Sequence, residues 1–394
     1  MTAPSLPGTR TNWLVVLSLW AAGLGAAAQF GKVSVSFQML AEHYGTAGAL
    51  LGFAVSLVGF VGILFGVTAG LIVSRIGYRR ALIAALALGA AVSAWQALLP
   101  PLGLFLASRV VEGASHLAIV VAAPTLIAQL SAERHRGFTL SLWSTFFGVA
   151  FALLVWLGLP LARAWGTGAL YAAHGAYMAA MAGLVAVLLP RDLVARGGSA
   201  ISLRSVLRDH IRIYRSPHLS APALGWVCYA GSWVAILTLM PRFLPPGSRD
   251  MVVGLMPLSG ILASMTLGVW LLRRFPAVTV IQAGFAACLL ASLAVWAFPG
   301  QVWPYLALAL ALGPVQGASF AAIPQLNTGA EAQAQANGAL AQMGNVGTTC
   351  GTPLLAVLLA QAGIGGFLLF AIALYSCGFL LHLLLAGRRR RQLA

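Results

Sequence analysis

Four residues that share one helical face interrupt an otherwise apolar stretch of the chain: Arg109, Glu112, Gly113 and His116. Their i, i+3, i+4 and i+7 spacing places them on the same side of a helix. An arginine fork stays charged and binds carboxylate or phosphate through two contacts. Glu112 is the only acid well inside an apolar run, and His116 is a second group that can carry a proton. The pattern predicts anion binding with proton exchange. A static ion pair and a hydrogen-bonded packing histidine are the structural alternatives.

Lys32 is the only lysine of the chain, and it lies in the first apolar run. A helix would place Gln29 and Ser36 on the same face. A cation inside a membrane costs about 2.5–3.5 kcal/mol on insertion scales, so it normally faces a cavity or a partner. We therefore predict that Lys32 meets a bound anion or pairs with Glu112. The alternative is a lysine near the outer helix end whose amine reaches the membrane interface.

The second half of the chain offers neutral polar groups in comparable places. Gln316 stands in the tenth apolar run where the fourth run has its acid, and Gln342 and Asn345 share a face of the eleventh. Such amides can bind a polar solute or bond between helices. Trp226 and Tyr229 form an aromatic face that could line a substrate site or simply pack. With cations on one wall and neutral groups on the other, the pattern favours an organic anion or zwitterion over a cationic drug.

Several function classes find little support in the sequence. The loops hold few acids and no Ser/His/Asp set, so we expect no enzyme. A phosphate-binding Gly-rich loop that ends in Lys-Ser or Lys-Thr is missing, which argues against a nucleotide-driven pump. The four cysteines lie in apolar runs without metal-ligand spacing, and we expect neither a metal nor a cofactor. The net charge of +16 comes from arginines in short connectors, a distribution that does not predict nucleic-acid binding.

The elements that must position these residues are membrane helices. Of 394 residues, 60% are hydrophobic and 8% are charged, whereas soluble domains carry about 25% charged residues. Helix is the structure that satisfies every backbone amide within one spanning segment. The sequence predicts an all-α membrane protein of twelve transmembrane helices in two six-helix bundles. The apolar runs are 13–37, 46–72, 81–99, 103–131, 138–160, 167–190, 221–244, 250–272, 277–298, 302–326, 336–361 and 364–386.

The arginines are concentrated in alternate connectors, which predicts that both termini are cytoplasmic. The long connector 191–219 carries six of them. Its apolar residues fall near one helical face, so it is either an amphipathic helix on the anionic leaflet or a solvated basic linker. The first run could also imitate a secretory signal ending in Ala26-Ala27-Ala28. We expect an uncleaved first helix, because its removal would break the symmetry described next.

The two halves resemble each other at an offset of roughly 200 residues. Val111 to Ser115 matches Val315 to Ser319, and Gly70 with Arg75 matches Gly268 with Arg273. Repeated halves flanking a midplane site are typical of secondary transporters. The repeat predicts an N-terminal bundle over 1–190, a linker over 191–219 and a C-terminal bundle over 220–394.

The connector after the second run resembles the loop signature of the major facilitator superfamily, Gly-x-x-x-Asp-Arg-x-Gly-Arg-Arg. The residues that match this signature are Gly70, Arg75, Gly77, Arg79 and Arg80. Arg109, Glu112 and Gly113 resemble the fourth-helix signature of that family. The resemblance implies the twelve-helix fold and a gating role for the loop. Ser74 replaces the signature aspartate, which puts the charge pairing of that gate in doubt.

The sequence therefore predicts a secondary transporter for a small organic anion or zwitterion, coupled to protons. We expect a monomer in the bilayer of a bacterial inner membrane. One alternative is an efflux transporter for amphipathic compounds, although the fifth run lacks the Gly-Pro spacing of drug/proton antiporters. A membrane receptor that binds without transport is a further alternative.

Overall fold

The computed structural model describes residues 11–46, 48–132, 135, 139–140, 142–143, 145–189, 203–328 and 330–393. Within these ranges every regular element is a helix, which confirms the all-α prediction. The first helices are α1 (Trp13–Val35), α2 (Phe37–Tyr44), α3 (Ala49–Ser56), α4 (Phe60–Ile76), α5 (Tyr78–Gln96), α6 (Leu102–Leu130), α7 (Phe146–Leu153), α8 (Leu159–Trp165) and α9 (Thr167–Leu188). The remaining helices are α10 (Leu203–Arg215), α11 (Ser220–Leu239), α12 (Pro246–Ala263), α13 (Val269–Leu272), α14 (Ala277–Ala297), α15 (Trp303–Leu326), α16 (Ala330–Ala362) and α17 (Ile364–Leu393). Short 3-10 and π-helical turns continue four of these helices: Leu57–Gly59, Leu154–Gly158, Met240–Phe243 and Ser264–Gly268.

Eleven helical stretches in the described ranges are long and apolar enough to cross a membrane. They coincide with eleven of the twelve predicted runs. The run 81–99 corresponds to α5, a helix of 19 residues whose first turn carries Arg79 and Arg80. The protein is therefore a multi-pass membrane protein, and the count of twelve spans stays a prediction.

The described residues fall into two compact units. One unit comprises the described residues within 1–40 and 69–199, and the other comprises those within 41–68 and 200–394. The division near 191–219 stays a prediction, since residues 190–202 lie outside the described ranges. The structure adds that 41–68, a range that includes most of the second apolar run (46–72), belongs to the second unit.

Glycines explain how the second apolar run approaches α16. A Cβ atom on Gly52 would lie 3.0 Å from the Cα of Pro353, and one on Gly66 would lie 3.0 Å from the Cα of Gln342. Small residues allow helix backbones to approach closely within a membrane. Gly351 of α16 is packed still more tightly, since a Cβ atom there would overlap the backbone of Gly231 in α11.

The described part of the linker, 203–219, contains one helix, α10, and two of its apolar side chains pack within the second unit. Ile213 is buried in a cluster with Ala223, Ile323 and Ala339, and Tyr214 packs at the edge of that cluster. The helix is therefore observed, whereas its predicted position on a lipid leaflet is not tested.

Candidate functional site

The first unit encloses an ionic cluster built on Glu112. Lys32 Nζ lies 2.7 Å from Glu112 Oε1, and Arg109 Nη1 donates to Glu112 Oε2. All three side chains are 0% exposed. The predicted pairing of Lys32 with Glu112 is thus present, and the amine points inward rather than toward the membrane interface.

Neutral polar side chains complete the surroundings of the carboxylate. Gln96 Nε2 donates to Glu112 Oε2 at 3.0 Å, and Ser93 Oγ lies 3.4 Å from Oε1. Arg109 also donates through Nη2 to the main-chain carbonyl of Gln29 at 2.6 Å. Charge-assisted hydrogen bonds of this kind favour the ionised form of an acid. Glu112 therefore joins α1, α5 and α6 as a carboxylate.

His174 of α9 extends the cluster to a fourth helix. Its Nε2 lies 3.0 Å from the carbonyl of Gly25, and because a carbonyl only accepts, Nε2 carries the hydrogen. Nδ1 then has a free lone pair in the neutral ring, and Ser93 Oγ lies 2.8 Å from it while Lys32 Nζ lies 3.3 Å away. Lys32 also donates to Ser93 Oγ at 2.7 Å. A continuous hydrogen-bonded chain thus runs from Glu112 through Lys32 and Ser93 to His174.

The close approach of α5 to its neighbours depends on Gly89. A Cβ atom on Gly89 would lie 2.7 Å from Ser115 Oγ and 2.9 Å from Gln29 Nε2. Those two groups are hydrogen-bonded to each other at 2.9 Å. A larger residue at position 89 would displace the Gln29–Ser115 hydrogen bond, which joins α1 to α6 beside Lys32 and Glu112.

Gln29 and His116, two further predicted site residues, hold α1 against α6. His116 Nδ1 lies 3.0 Å from the carbonyl of Ala26, so this nitrogen donates. The Oε1 atom of Gln29 is buried without a hydrogen-bond partner, and so is that of Gln96. Buried acceptors without donors are uncommon in folded proteins, and these two atoms offer acceptors to a bound donor beside the charges.

Electrostatics set this cluster apart from an ordinary buried ion pair. Two cations, Lys32 and Arg109, share the single carboxylate of Glu112. Taking charge out of water is costly unless opposite charge compensates it. The ring of Tyr171, whose centroid lies 5.3 Å from Lys32 Nζ, adds only partial compensation. The arrangement of these three side chains holds one positive charge in excess.

The polar face of α16 makes helix contacts in the second unit. Gln342 Nε2 donates to the carbonyl of Ile63 at 2.7 Å, and Thr349 Oγ1 donates to the carbonyl of Ser56 at 3.2 Å. Asn345 packs against Gly62. Interhelical bonding is therefore the observed arrangement for this face, and a role of Gln342 and Asn345 in substrate binding stays a prediction.

The aromatic face of α11 is a stack. The ring centroids of Trp226 and Tyr229 are 4.4 Å apart, and Trp233 continues the stack at 6.2 Å from Tyr229. Tyr229 donates its hydroxyl to Gln316 Oε1 at 3.1 Å. The structure thus brings Gln316 together with Tyr229, and a role of these aromatic and amide side chains in substrate binding stays a prediction.

The loop motif has two well-defined members. Gly77 joins α4 to α5 with φ +91°, a conformation that favours glycine. Arg79 donates through Nε to the carbonyl of Leu189 at 3.0 Å and through Nη2 to that of Ala186 at 2.7 Å. These bonds cap the carbonyl end of α9, where a cation is favourable. The side chain of Arg75 lies outside the described part of the chain.

Arg79 and Arg80 form a matched pair for mutation. We expect Arg79→Ala to lower the free energy of unfolding by about 2 kcal/mol, because two charged hydrogen bonds to a helix end are lost. Arg80 is exposed, so Arg80→Ala should change stability by less than about 0.5 kcal/mol. Thermal unfolding of both variants in detergent measures the difference, and equal stability of the two variants would contradict the capping role.

Three members of the cluster, Ser93, Gln96 and His174, are not among the site residues predicted from the sequence. Ser93 and Gln96 lie three residues apart on one face near the end of an apolar run, a spacing that could have predicted them. His174 has no charged neighbour at helical spacing in its own run, so the sequence gives no comparable signal for it. Among the described residues, no group of three metal-ligating side chains occurs.

Comparison with known proteins shows which family the chain matches. The model described as Major Facilitator Superfamily matches residues 16–347. The outward-facing structure of the transporter FucP is 19% identical with a TM-score of 0.65 and covers 94% of this chain and 98% of its own. A second FucP structure, described as the E. coli fucose:proton symporter, is 19% identical with a TM-score of 0.64 and coverages of 94% and 97%.

The fold is also shared by a more distant transporter. A bacterial homologue of the human lysosomal transporter Spinster, inward-facing and unoccupied, is 11% identical with a TM-score of 0.71 and coverages of 93% and 96%. No curated protein sequence matches the chain significantly. These structural likenesses show the fold, and the family model extends over most of the chain. The resemblance read from the sequence is confirmed: the chain belongs to the major facilitator superfamily.

Proposed function

We propose that this protein is a secondary transporter that moves a small organic anion or zwitterion together with a proton by alternating access. The observation that carries the proposal is the buried cluster in which Lys32 and Arg109 share Glu112. FucP, a relative in fold, is described as a fucose:proton symporter, and proton coupling in such a scaffold is consistent with the cluster.

The cost of net charge in the buried cluster couples proton binding to anion binding. Two cations and one carboxylate give the cluster a net charge of +1. A proton on Glu112 alone would raise this charge to +2, which is unfavourable in a buried site. A monoanion that binds the released Lys32 and Arg109 returns the charge to +1. Protonation and anion binding therefore favour each other, and the coupling is reciprocal.

The proton has a hydrogen-bonded route away from the carboxylate. His174 Nδ1 accepts from Ser93 and lies near Lys32, so a proton that leaves the Glu112 region can be taken up by the imidazole. The cations and the acid are fully buried. In the proposed cycle, substrate and proton reach them in conformations that open the first unit to one side and then to the other.

The membrane setting follows from the arginine distribution. We propose a monomer with both termini on the cytoplasmic side of a bacterial inner membrane, since the arginine-rich connectors and the C-terminal arginines would then face the cytoplasm. Single cysteines introduced as Ala394→Cys and Gly300→Cys test this orientation. A membrane-impermeant thiol reagent should label position 300 from outside and position 394 only from inside.

Proteoliposomes loaded with a pH dye provide the direct test. Purified protein is challenged with carboxylates, amino acids, peptides and cationic drugs, and proton movement is recorded. We expect one anionic or zwitterionic class to evoke proton flux. Solute flux that is independent of pH, or flux evoked by cationic drugs alone, would overturn the proposal.

Replacing Lys32 with Met separates coupling from folding. The cluster would then hold Arg109 and Glu112 with balanced charge, so the free energy of unfolding should change by less than about 1 kcal/mol. We expect proton-driven accumulation to fall at least about tenfold, because the excess cation that attracts the anion is gone. Uptake assays and thermal unfolding measure both quantities. Arg242→Met removes an exposed cation elsewhere and should leave accumulation intact. Undiminished accumulation in Lys32→Met would contradict the proposed role.

A further inference from the structure

The end of α17 is bonded to the residues that follow α10, and both helices carry exposed arginines. Arg389 Nη1 donates to the carbonyl of Pro217 at 2.8 Å. This bond ties the last turns of α17 to the residues that directly follow α10. We call the exposed arginines of these two helices the arginine surface: Arg208, Arg215, Arg388, Arg390 and Arg391.

This arginine surface has little acidic counterpart in the sequence. Asp209 is the single acid between 203 and 219, and the chain has no acid after Glu331. Guanidinium groups bind phosphate oxygens through paired hydrogen bonds. The charge and chemistry of the surface therefore fit a phosphodiester anion.

Apolar side chains beside the arginines indicate a lipid rather than a soluble phosphate. Ile211 is 45% exposed between the arginines of α10, and Leu383 and Leu384 are 52% and 65% exposed shortly before the arginines of α17. A phosphate group near the arginines and an acyl chain near the leucines would satisfy both parts of the surface. Basic residues at the end of a membrane helix are a recurring arrangement for anionic headgroups.

The opposite face of α10 is bonded to α16. Tyr214 donates its hydroxyl to Gln342 Oε1 at 2.7 Å, and burial raises the pKa of Tyr214 to about 12, so the hydroxyl keeps its proton at ordinary pH. The amide nitrogen of Gln342 donates to the carbonyl of Ile63 and lies 3.1 Å from His210 Nε2. One side chain of α16 thus links α10 to the second apolar run.

We propose that the arginine surface binds the headgroups of anionic phospholipids and that this binding holds α10 in place, which stabilises the Tyr214–Gln342–Ile63 linkage. The lipid then acts as a ligand of the second unit and supports its packing from outside. A ligand that binds only the folded state raises thermal stability with its concentration. The inference does not depend on the transported substrate.

Thermal unfolding of the full-length protein in detergent, titrated with phosphatidylglycerol or phosphatidylcholine, tests the proposal. We expect Tm to rise with the concentration of phosphatidylglycerol and to change little with phosphatidylcholine. Arg208→Gln with Arg215→Gln should raise the phosphatidylglycerol concentration that gives the same rise in Tm by roughly 10- to 30-fold, as the loss of two basic contacts implies. The matched control, Arg273→Gln with Arg274→Gln, removes two exposed arginines elsewhere and should titrate like the wild type.

Two further titrations test the nature of the ligand and its link to Tyr214. Inorganic phosphate at the same concentrations should leave Tm unchanged, and an equal rise would replace the lipid with a soluble anion. Tyr214→Phe should raise the phosphatidylglycerol concentration needed for a given rise in Tm, because a linkage that the lipid stabilises must in turn favour lipid binding. Identical titrations for the two lipids, or for the two arginine double variants, would overturn the proposal.

Discussion

Glu112→Gln is expected to abolish accumulation driven by a pH difference and to lower the free energy of unfolding by about 3–5 kcal/mol. Gln cannot exchange a proton, so the driving force is disconnected from substrate movement. It also leaves Lys32 and Arg109 buried without an anion. Exchange of substrate across the membrane without a pH difference should persist at low temperature. Uptake, counterflow and thermal unfolding in the same preparation measure the three effects.

Two comparisons show whether the loss comes from the cluster. Glu42→Gln makes the same chemical change at an exposed acid and should accumulate substrate normally. Combining Glu112→Gln with Lys32→Met should recover part of the lost stability, because one uncompensated cation remains instead of two. Strictly additive stability changes would show that the two residues do not interact energetically. Normal pH-driven accumulation in Glu112→Gln would reduce Glu112 to a structural partner.

Gly351→Ala is expected to produce the largest packing defect in the second unit. The added methyl would overlap the backbone of Gly231, so α11 and α16 would have to separate. Overpacking of this kind costs about 1–3 kcal/mol. Thermal unfolding of the purified variant in detergent measures the change.

Gly365→Ala is the matched control for Gly351→Ala. Both changes replace a helical glycine and gain about 0.5–1 kcal/mol in helix propensity. A Cβ atom on Gly365 meets no other group within 4 Å, so this variant should be slightly stabilised. The two substitutions should therefore change stability in opposite directions. A Gly351→Ala protein as stable as the control would show that the helices separate at no cost.

The helical architecture could be predicted because composition alone requires lipid as the solvent. The ionic cluster could be predicted in part. Rare charges in apolar runs must find partners, which leads directly to Lys32, Arg109 and Glu112. The neutral members of the cluster could not be ranked in the same way, since Ser93 and His174 are inexpensive to bury without a charged partner.

The contacts of α16 could not be predicted from spacing. Gln342, Asn345 and Thr349 share a face, and that pattern fits equally well with a solute or a neighbouring helix. Which of the two occurs depends on which helix packs there. The neighbouring helix can approach α16 because of glycines far away in sequence, such as Gly52 and Gly66. Their contacts with α16 are visible only in the folded structure.

The grouping of 41–68 with the second unit has a consequence for biogenesis. The bonds from Gln342 to Ile63 and from Thr349 to Ser56 join residues 279 and 293 positions apart. The second apolar run emerges from the ribosome long before α16 exists, and synthesis proceeds at about 5–20 residues per second. For many seconds its glycine-lined face must remain against lipid or a temporary partner. Assembly of the newly made protein is thus completed only when the eleventh run has been inserted, and a chain truncated before α16 would present an unmatched helix face to the insertion and quality-control machinery.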